Sequence, residues 1–408
     1  MPLNKISTIS RLWFGPIPKE HLRIVKNTPK EYCYKFFLHP IKRRVAKYYL
    51  LLLRKVFGLK VIGITGSAGK STTKEMAASI LGESGKTVAS YANIDPVFNI
   101  PSTILKCSPQ TRFLVLEMGV EYPGEMDFYL WLAKPDIGLM TNIYPAHTEF
   151  FENIQGIAKE KGKLVRVLKH QGFAVLNKEN NSLREISKEV KAKIVWYGDG
   201  GEVHADNISD RGESGTKFTL VENKNKLVIQ LPIVGEQFVN NALGASAIAL
   251  CLGIRPQDIK KGLEKFKPLE HRMATHVLKG GALLLDDSYN NNPEAAKEAL
   301  KTLKKVAGQR KMIVVFGDML ELGRLSPSAH KELGKTISSM GVERLIGVGK
   351  ASKDLITTAK TVLGDNATWV ANADQVLAVL KPLLKRDTVV LIKGSRGVGL
   401  DRLVAKLV

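Results

Sequence analysis

The run "VIGITGSAGKSTTKEM" (61–76) holds the residues best suited to chemistry. An apolar β-branched stretch ends at Thr65, glycines stand at 63, 66 and 69, and Lys70-Ser71 open a helical pattern. Glycines let backbone N–H groups approach phosphate oxygens, and a helix N-terminus adds partial positive charge. A lysine placed here bridges terminal phosphates and a serine ligates a divalent metal. Gly66, Ser67, Ala68, Gly69, Lys70, Ser71 and Thr72 are therefore expected to hold a nucleotide. The spacing departs from the general phosphate loop, because Ile64 stands where a glycine is usual, five residues before Gly69. Two other segments bring acids to strand ends. "FLVLE" (113–117) puts Glu117 straight after four apolar residues and beside Gly119, where the crevice of a parallel sheet opens. "LLLDDSYNNNP" (283–293) delivers Asp286 and Asp287, then Asn290, from a buried strand to a loop. By themselves, His147 reads as a structural loop histidine, Lys161 in "KEKGK" as an exposed lysine, and Arg272 as half of a boundary salt bridge.

Positioning such residues takes strands that end together, and the hydrophobic pattern supplies them. "LKVIGIT" (59–65), "FLVLEM" (113–118) and "IGLMTN" (137–142) read as buried strands, with helices from Lys70 to Leu81, near 124–133 and near 153–168. Residues 193–233 interrupt this rhythm with a hairpin turning at Asn223-Lys224-Asn225, and an Ala-rich helix follows at 238–252. A second series starts near Arg272, with strands at 282–286, 311–316, 343–348 and 387–392. The fold class is α/β: a central P-loop-type, mostly parallel sheet domain (58–270) and a smaller Rossmann-like C-terminal domain (271–408). A basic helical segment (1–57) precedes them, which Pro2, Pro16, Pro18, Pro29 and Pro40 are expected to cut into short pieces.

A chain of 408 residues with 44% hydrophobic and 25% charged residues excludes a disordered or fibrous protein and accommodates two or three domains. The net charge of +22 is uneven: residues 1–60 hold fourteen Lys or Arg and two acids. "IKRRVAKYYLLLLRKVFGLK" (41–60) reads either as a packing helix with a solvated basic side or as a helix on an anionic membrane surface. Nucleic acid is not expected, since no recognised binding motif accompanies the charge. The apolar run Tyr48–Leu53 is far short of the ~20 residues that span a bilayer. The first twenty residues lack a signal-peptide core, and three dispersed cysteines suit a reducing compartment. A cytoplasmic protein is expected, with peripheral membrane contact left open.

The variant loop "TGSAGKSTTK" (65–74) resembles that of the Mur ligases, ATP-dependent amide-bond-forming enzymes of peptidoglycan synthesis. "VLEMGVEYPGEMDFYLWLAKPDIGLMTNIYPAHTEFF", "GIAKEKGKL", "NNALGASAIALCLGI", "LLLDDSYNNNPEAAKEAL", "VVFGDMLELGRLSPSAHKELG" and "LIKGSRGVGLDRLV" follow in order. They are similar to the branch that adds D-alanyl-D-alanine to a UDP-N-acetylmuramoyl-tripeptide, over about residues 58–408. The resemblance implies ATP and Mg²⁺ as cofactors and an acyl phosphate captured by an amine. A muramyl-peptide precursor and D-Ala-D-Ala would be the substrates, on a monomer that closes its domains around ATP. It implies Ser71, Glu117 and His147 as metal ligands, with Lys161 as a carbamylated lysine helping to hold a second metal. It further implies Asn241 near the adenine, Arg272 on the γ-phosphate, Asp287 on the ribose or the metal shell, Asn290 beside it, and Tyr289 on the base. Asn93 would serve the sugar-nucleotide side, while Asp318 and Glu321 ("GDMLELG") and Lys393, Ser395 and Arg396 ("KGSR") would serve the acceptor side. Two departures stand out: residues 1–57 replace the family's longer uridine-binding unit, and "YANIDPVFNIP" keeps Asn93 and Pro101 but brings Asp95-Pro96 and Asn99. Two alternatives follow: a Mur-type ligase on a lipid-linked or other carboxylate, and a P-loop NTPase switch without ligase activity.

Overall fold

The computed structural model describes residues 13–23, 28–91, 95–144, 148–151, 153–210, 214–223, 225–320 and 322–408. The first sheet has nine strands: β1 (Lys60–Thr65), β2 (Thr87–Ala89), β3 (Phe113–Glu117), β4 (Ile137–Met140), β5 (Phe173–Asn177), β6 (Lys193–Tyr197), β7 (Val203–Asp210), β8 (Thr216–Glu222) and β9 (Asn225–Leu231). Their order is β2-β3-β1-β4-β5-β6-β7-β8-β9, parallel as far as β7 and antiparallel from β7 to β9. In β1 every residue after Lys60 is buried, because helices cover both faces. Val61 packs with the cluster containing Leu114, Leu116 and Leu164, whereas Ile62 and Ile64 pack with Met76, Ile80, Ala245 and Ile248. This alternation pins the register that sets where Thr65 ends and the phosphate loop begins.

The second sheet comprises β10 (Ala274–Val277), β11 (Leu283–Asp287), β12 (Lys311–Gly317), β13 (Arg344–Val348), β14 (Ala367–Val370) and β15 (Thr388–Lys393). Its order is β10-β11-β15-β12-β13-β14, parallel except for β10. The sheets are joined through the Pro256–Glu264 helix and a link in which His271 and Met273 have φ of +60° and +54°. Asp286 holds that link, since its Oδ2 lies 2.7 Å from His271 Nδ1 while its Oδ1 accepts from Ser288 N–H and Oγ–H. Of the two neighbouring acids, Asp286 clamps the interdomain link, and Asp287 reaches the crevice.

The N-terminal segment also differs from expectation. From Pro29 to Phe57 it is one continuous helical run: Pro29–Cys33, a π turn over Tyr34–Leu38, then His39–Phe57. Pro40 does not cut it. Proline lacks an N–H and its ring needs room against the preceding turn, and the wider turn closed by His39 N–H on Tyr34 O lies just ahead of it. Gly58, at φ +69°, then ends the helix. β6 also continues the parallel sheet through the start of the stretch read as a break, and β5 precedes it.

Candidate active site

β1 delivers Gly66 at φ +149°, and a Cβ there would collide with Thr141 Oγ1. The loop after β4 clasps the phosphate loop. Thr141 Oγ1 donates to Ala68 O (2.6 Å), Asn142 Oδ1 accepts from Ala68 N–H (2.8 Å), and Ser67 Oγ donates to Tyr144 O (3.0 Å). Ser67 and Ala68 thus spend polar groups on this clasp, leaving phosphate contact to the first turn of the Lys70–Gly82 helix. Gly66→Ala should break the clasp and cost about 2 kcal/mol of stability, read as a lower unfolding midpoint, together with weaker ATP binding.

Two clefts meet at this turn. One, about 320 Å³, lies between the sheets. Ser67–Thr72, Glu179 and Asn241 line it from the first sheet's side, with Asp287, Asn290 and Lys393 from the second. The other, about 240 Å³, holds Asp95, Glu117, Glu121, Glu125 and Tyr289. Lys70, Ser71, Arg272 and Asn290 line both and so form a common wall. The two half-sites read from sequence therefore face one crevice. Across it, Thr302 Oγ donates to Gln237 Oε1 (3.1 Å) and Lys305 pairs with Glu236 (2.6 Å).

On the wall, Ser71 Oγ lies 3.1 Å from Glu117 Oε1 and Arg272 Nη2 lies 3.4 Å from Ser71 Oγ. Burial lowers the Lys70 pKa and nearby Arg272 adds to this, against the pull of Glu117. Two neighbouring oxygen donors, Glu117 at a strand end and Ser71 on the first helical turn, suit a hard divalent cation such as Mg²⁺. Lys161 is not the exposed lysine its sequence context suggests: it is 1% exposed, and its Nζ donates to Gly66 O (3.2 Å) and Val120 O (3.4 Å). Burial first, and the charge of Lys70 second, push its pKa down to about 7. Its neighbour Lys159 is exposed, and Lys163 pairs with Asp127 and Glu160.

Other expectations are altered. Tyr289 does not lie open for a base: its ring has the Arg272 guanidinium 4.1 Å from the centroid and that of Arg396 at 5.3 Å, and it lines the second cleft. Asp287 is paired with Lys393 at 2.6 Å, and Lys393, 1% exposed, also donates to Asn290 O (2.9 Å). Asn241 sits against the phosphate loop, with Oδ1 accepting from Thr73 Oγ at 3.3 Å. Asp318 lines neither cleft, because its carboxylate caps the Ser352–Leu363 helix through Ser352 N–H (2.7 Å) and Ala351 N–H (3.1 Å). Ser395 Oγ accepts from Leu320 N–H (3.0 Å), tying the loops after β12 and β15 together. Asn93, His147 and Glu321 lie outside the described residues.

Sequence reasoning missed Asn142, Glu179, Asp95, Glu125 and His21. Glu179 follows β5, so locating that strand would have pointed to it. His21 gave no local signal. It comes from the N-terminal segment and reaches Glu125 Oε1 (2.5 Å) and Asp95 Oδ2 (3.3 Å) at the second cleft. Burial opposes its charge, but hydrogen bonds and charges from Asp95 and Glu125 outweigh that and lift its pKa to about 9. A raised folded-state pKa stabilises fully below the unfolded value, near 6.5, and the gain is lost as pH rises through 9. Stability should therefore fall by about 3 kcal/mol between those limits, and the fall should vanish in His21→Gln, as denaturant melts at several pH values would measure.

Comparison with known proteins identifies the family to which both sheets belong. The Mur ligase middle domain matches residues 64–249, and the Mur ligase glutamate ligase domain matches residues 271–396. The UDP-N-acetylmuramoyl-tripeptide–D-alanyl-D-alanine ligase of Escherichia coli (strain K12) is 32% identical over 360 residues, covering 87% of this chain and 78% of that protein. The chain belongs to the Mur ligase family. The ligase of the same name from Bacillus subtilis (strain 168) is 32% identical over 367 residues, covering 90% of this chain and 79% of that one. A crystal structure of MurF from Acinetobacter baumannii superimposes with TM-score 0.81 at 30% identity, over 90% of this chain and 80% of that one. MurF from Thermotoga maritima, solved with ADP, shares the fold at TM-score 0.79 and 23% identity, over 94% of this chain and 86% of that one. The Mur ligase assignment thus spans both lobes and the wall between them.

Proposed function

We propose that this Mur ligase is an ADP-forming, ATP-dependent ligase that adds D-alanyl-D-alanine to a UDP-N-acetylmuramoyl-tripeptide-type precursor. One observation carries this reading: Lys70, Ser71, Arg272 and Asn290 are shared by two clefts, one suited to a nucleotide and one to a second substrate. A carboxylate needs a better leaving group before an amine displaces it. Phosphoryl transfer from ATP provides one, and the protein's work is then positioning and charge neutralisation. Lys70 and Arg272, which line both clefts, would meet the charge that collects on the terminal phosphate, and the guanidinium would offer its oxygens a planar pair of donors.

Ser71 and Glu117 would hold Mg²⁺, which supplies charge neutralisation at the phosphates. Lys161, buried and near neutrality, suits carbamylation, which requires the free amine; the product would present a carboxylate at the same place. Asp287, fixed by Lys393, and Asn290 would meet the nucleotide from the second lobe. Arg396 would close over the acceptor. We assign residues 58–270 to the ATP-binding domain and 271–408 to the closing domain, in a monomer working in the cytoplasm beside the membrane.

The deciding assay is phosphate release with ATP-Mg²⁺, D-Ala-D-Ala and UDP-muramyl-tripeptide or its lipid-linked form. Release that requires both co-substrates supports the ligase reading, whereas equal release with ATP alone replaces it by an NTPase switch. Activity only with the lipid-linked form selects the alternative acceptor. That alternative has an observation behind it: the His39–Phe57 helix, packed ahead of β1, carries basic residues and leaves Ile41, Val45, Tyr48, Leu52 and Val56 exposed.

A further inference from the structure

The His39–Phe57 helix presents an apolar face to solvent. Its inner face buries His39, Arg43, Ala46, Leu50 and Leu53 against the Pro96–Ile104 and Glu125–Leu132 helices. Its outer face carries Ile41, Val45, Tyr48, Leu52 and Val56, spaced by three or four residues and 48–66% exposed. Phe37 extends the ridge by one turn. Eleven of the twenty-one exposed large hydrophobic residues described lie between Tyr32 and Phe57, so this is a patch and not the usual scatter. Residues 28–60 hold nine Lys or Arg against one acid, Glu31, and Lys30, Lys55 and Lys60 are exposed.

We propose that this face docks on an anionic lipid surface. The apolar ridge would enter the headgroup–acyl boundary while the lysines beside it meet lipid phosphates. No helix among the described residues is long and apolar enough to cross a membrane, so the contact is peripheral. A second copy fits less well, since pairing two such faces would bring like charges such as Lys55 toward one another. The docked helix rests on two helices that begin beside Asp95 and Glu125, both lining the second cleft. Docking therefore sets the acceptor cleft beside the membrane. That consequence rests on the ligase reading, while the docking itself does not.

The test is co-sedimentation of the full chain with phosphatidylcholine vesicles, with and without phosphatidylglycerol. Binding is expected to require phosphatidylglycerol and to weaken as salt is raised. Tyr48→Glu combined with Leu52→Glu should cut the bound fraction about tenfold or more. Circular dichroism and phosphate release in vesicle-free solution should be unchanged, so a failed ligase reading and a failed docking surface give different results. Absence of binding to either vesicle overturns the proposal, as does undiminished binding by the double variant. It is also overturned if light scattering finds a dimer that these substitutions dissociate.

Discussion

Lys70→Ala is expected to lower affinity for ATP by at least about a hundredfold, some 3 kcal/mol, as measured by titration calorimetry. The lysine stands at the first position of the helix that the phosphate loop opens, and it lines both clefts. Burial, and Arg272 after it, lower its pKa, against the pull of Glu117. A terminal phosphate would relieve that burden, so removing the ammonium removes the group with most to gain from the ligand. The fold should survive, because the loop is held by Thr141 and Asn142 and not by Lys70. Wild-type affinity in a folded Lys70→Ala protein would falsify the assignment of this turn to the terminal phosphates.

Lys161→Ala should lower kcat by about a hundredfold or more, on the scale seen when a preorganised charge at a reacting centre is removed. Formate or acetate should restore part of the rate by entering the space left by the side chain. Labelled bicarbonate should give a carbamate signal in the native protein and none in the variant. With a pKa near 7, the amine is increasingly neutral as pH rises from 6 to 8, so activity at limiting bicarbonate should climb over that window. The same depression means that the unfolded chain binds the extra proton between pH 7 and 10.5. The uncarbamylated protein should therefore gain stability with rising pH in that range. Full turnover by Lys161→Ala would end the carbamate assignment.

The phosphate loop was legible because its chemistry is local: strand, glycines, lysine and helix occupy sixteen consecutive residues. That β1, β3 and β4 are buried strands of a parallel sheet followed from continuous apolar runs, but their order β3-β1-β4 did not. What sequence left out depends on distance. Lys161 lies in a charged run that looks solvated, and only the Ile154–Arg166 helix, packed under β1, turns it inward. Tyr289 was open to a stacking role until two arginines from separate segments met on its ring. Asp318 and Asp287 look equivalent at strand ends, yet one caps a neighbouring helix and the other reaches the crevice. His21 lies seventy-four and one hundred and four residues from its partners, and no periodicity encodes such a meeting.

The wall shared by the two clefts has an energetic corollary. Lys70 and Ser71 belong to one lobe, and Asn290 to the other, with Arg272 on the link between them. Any opening of the crevice must therefore dismantle the wall before substrate can leave. An idling enzyme, caught between turnovers, would hold its nucleotide without the full set of charges needed to cleave it. Hydrolysis by an open enzyme, followed as phosphate released without acceptor, should therefore stay far below the coupled rate.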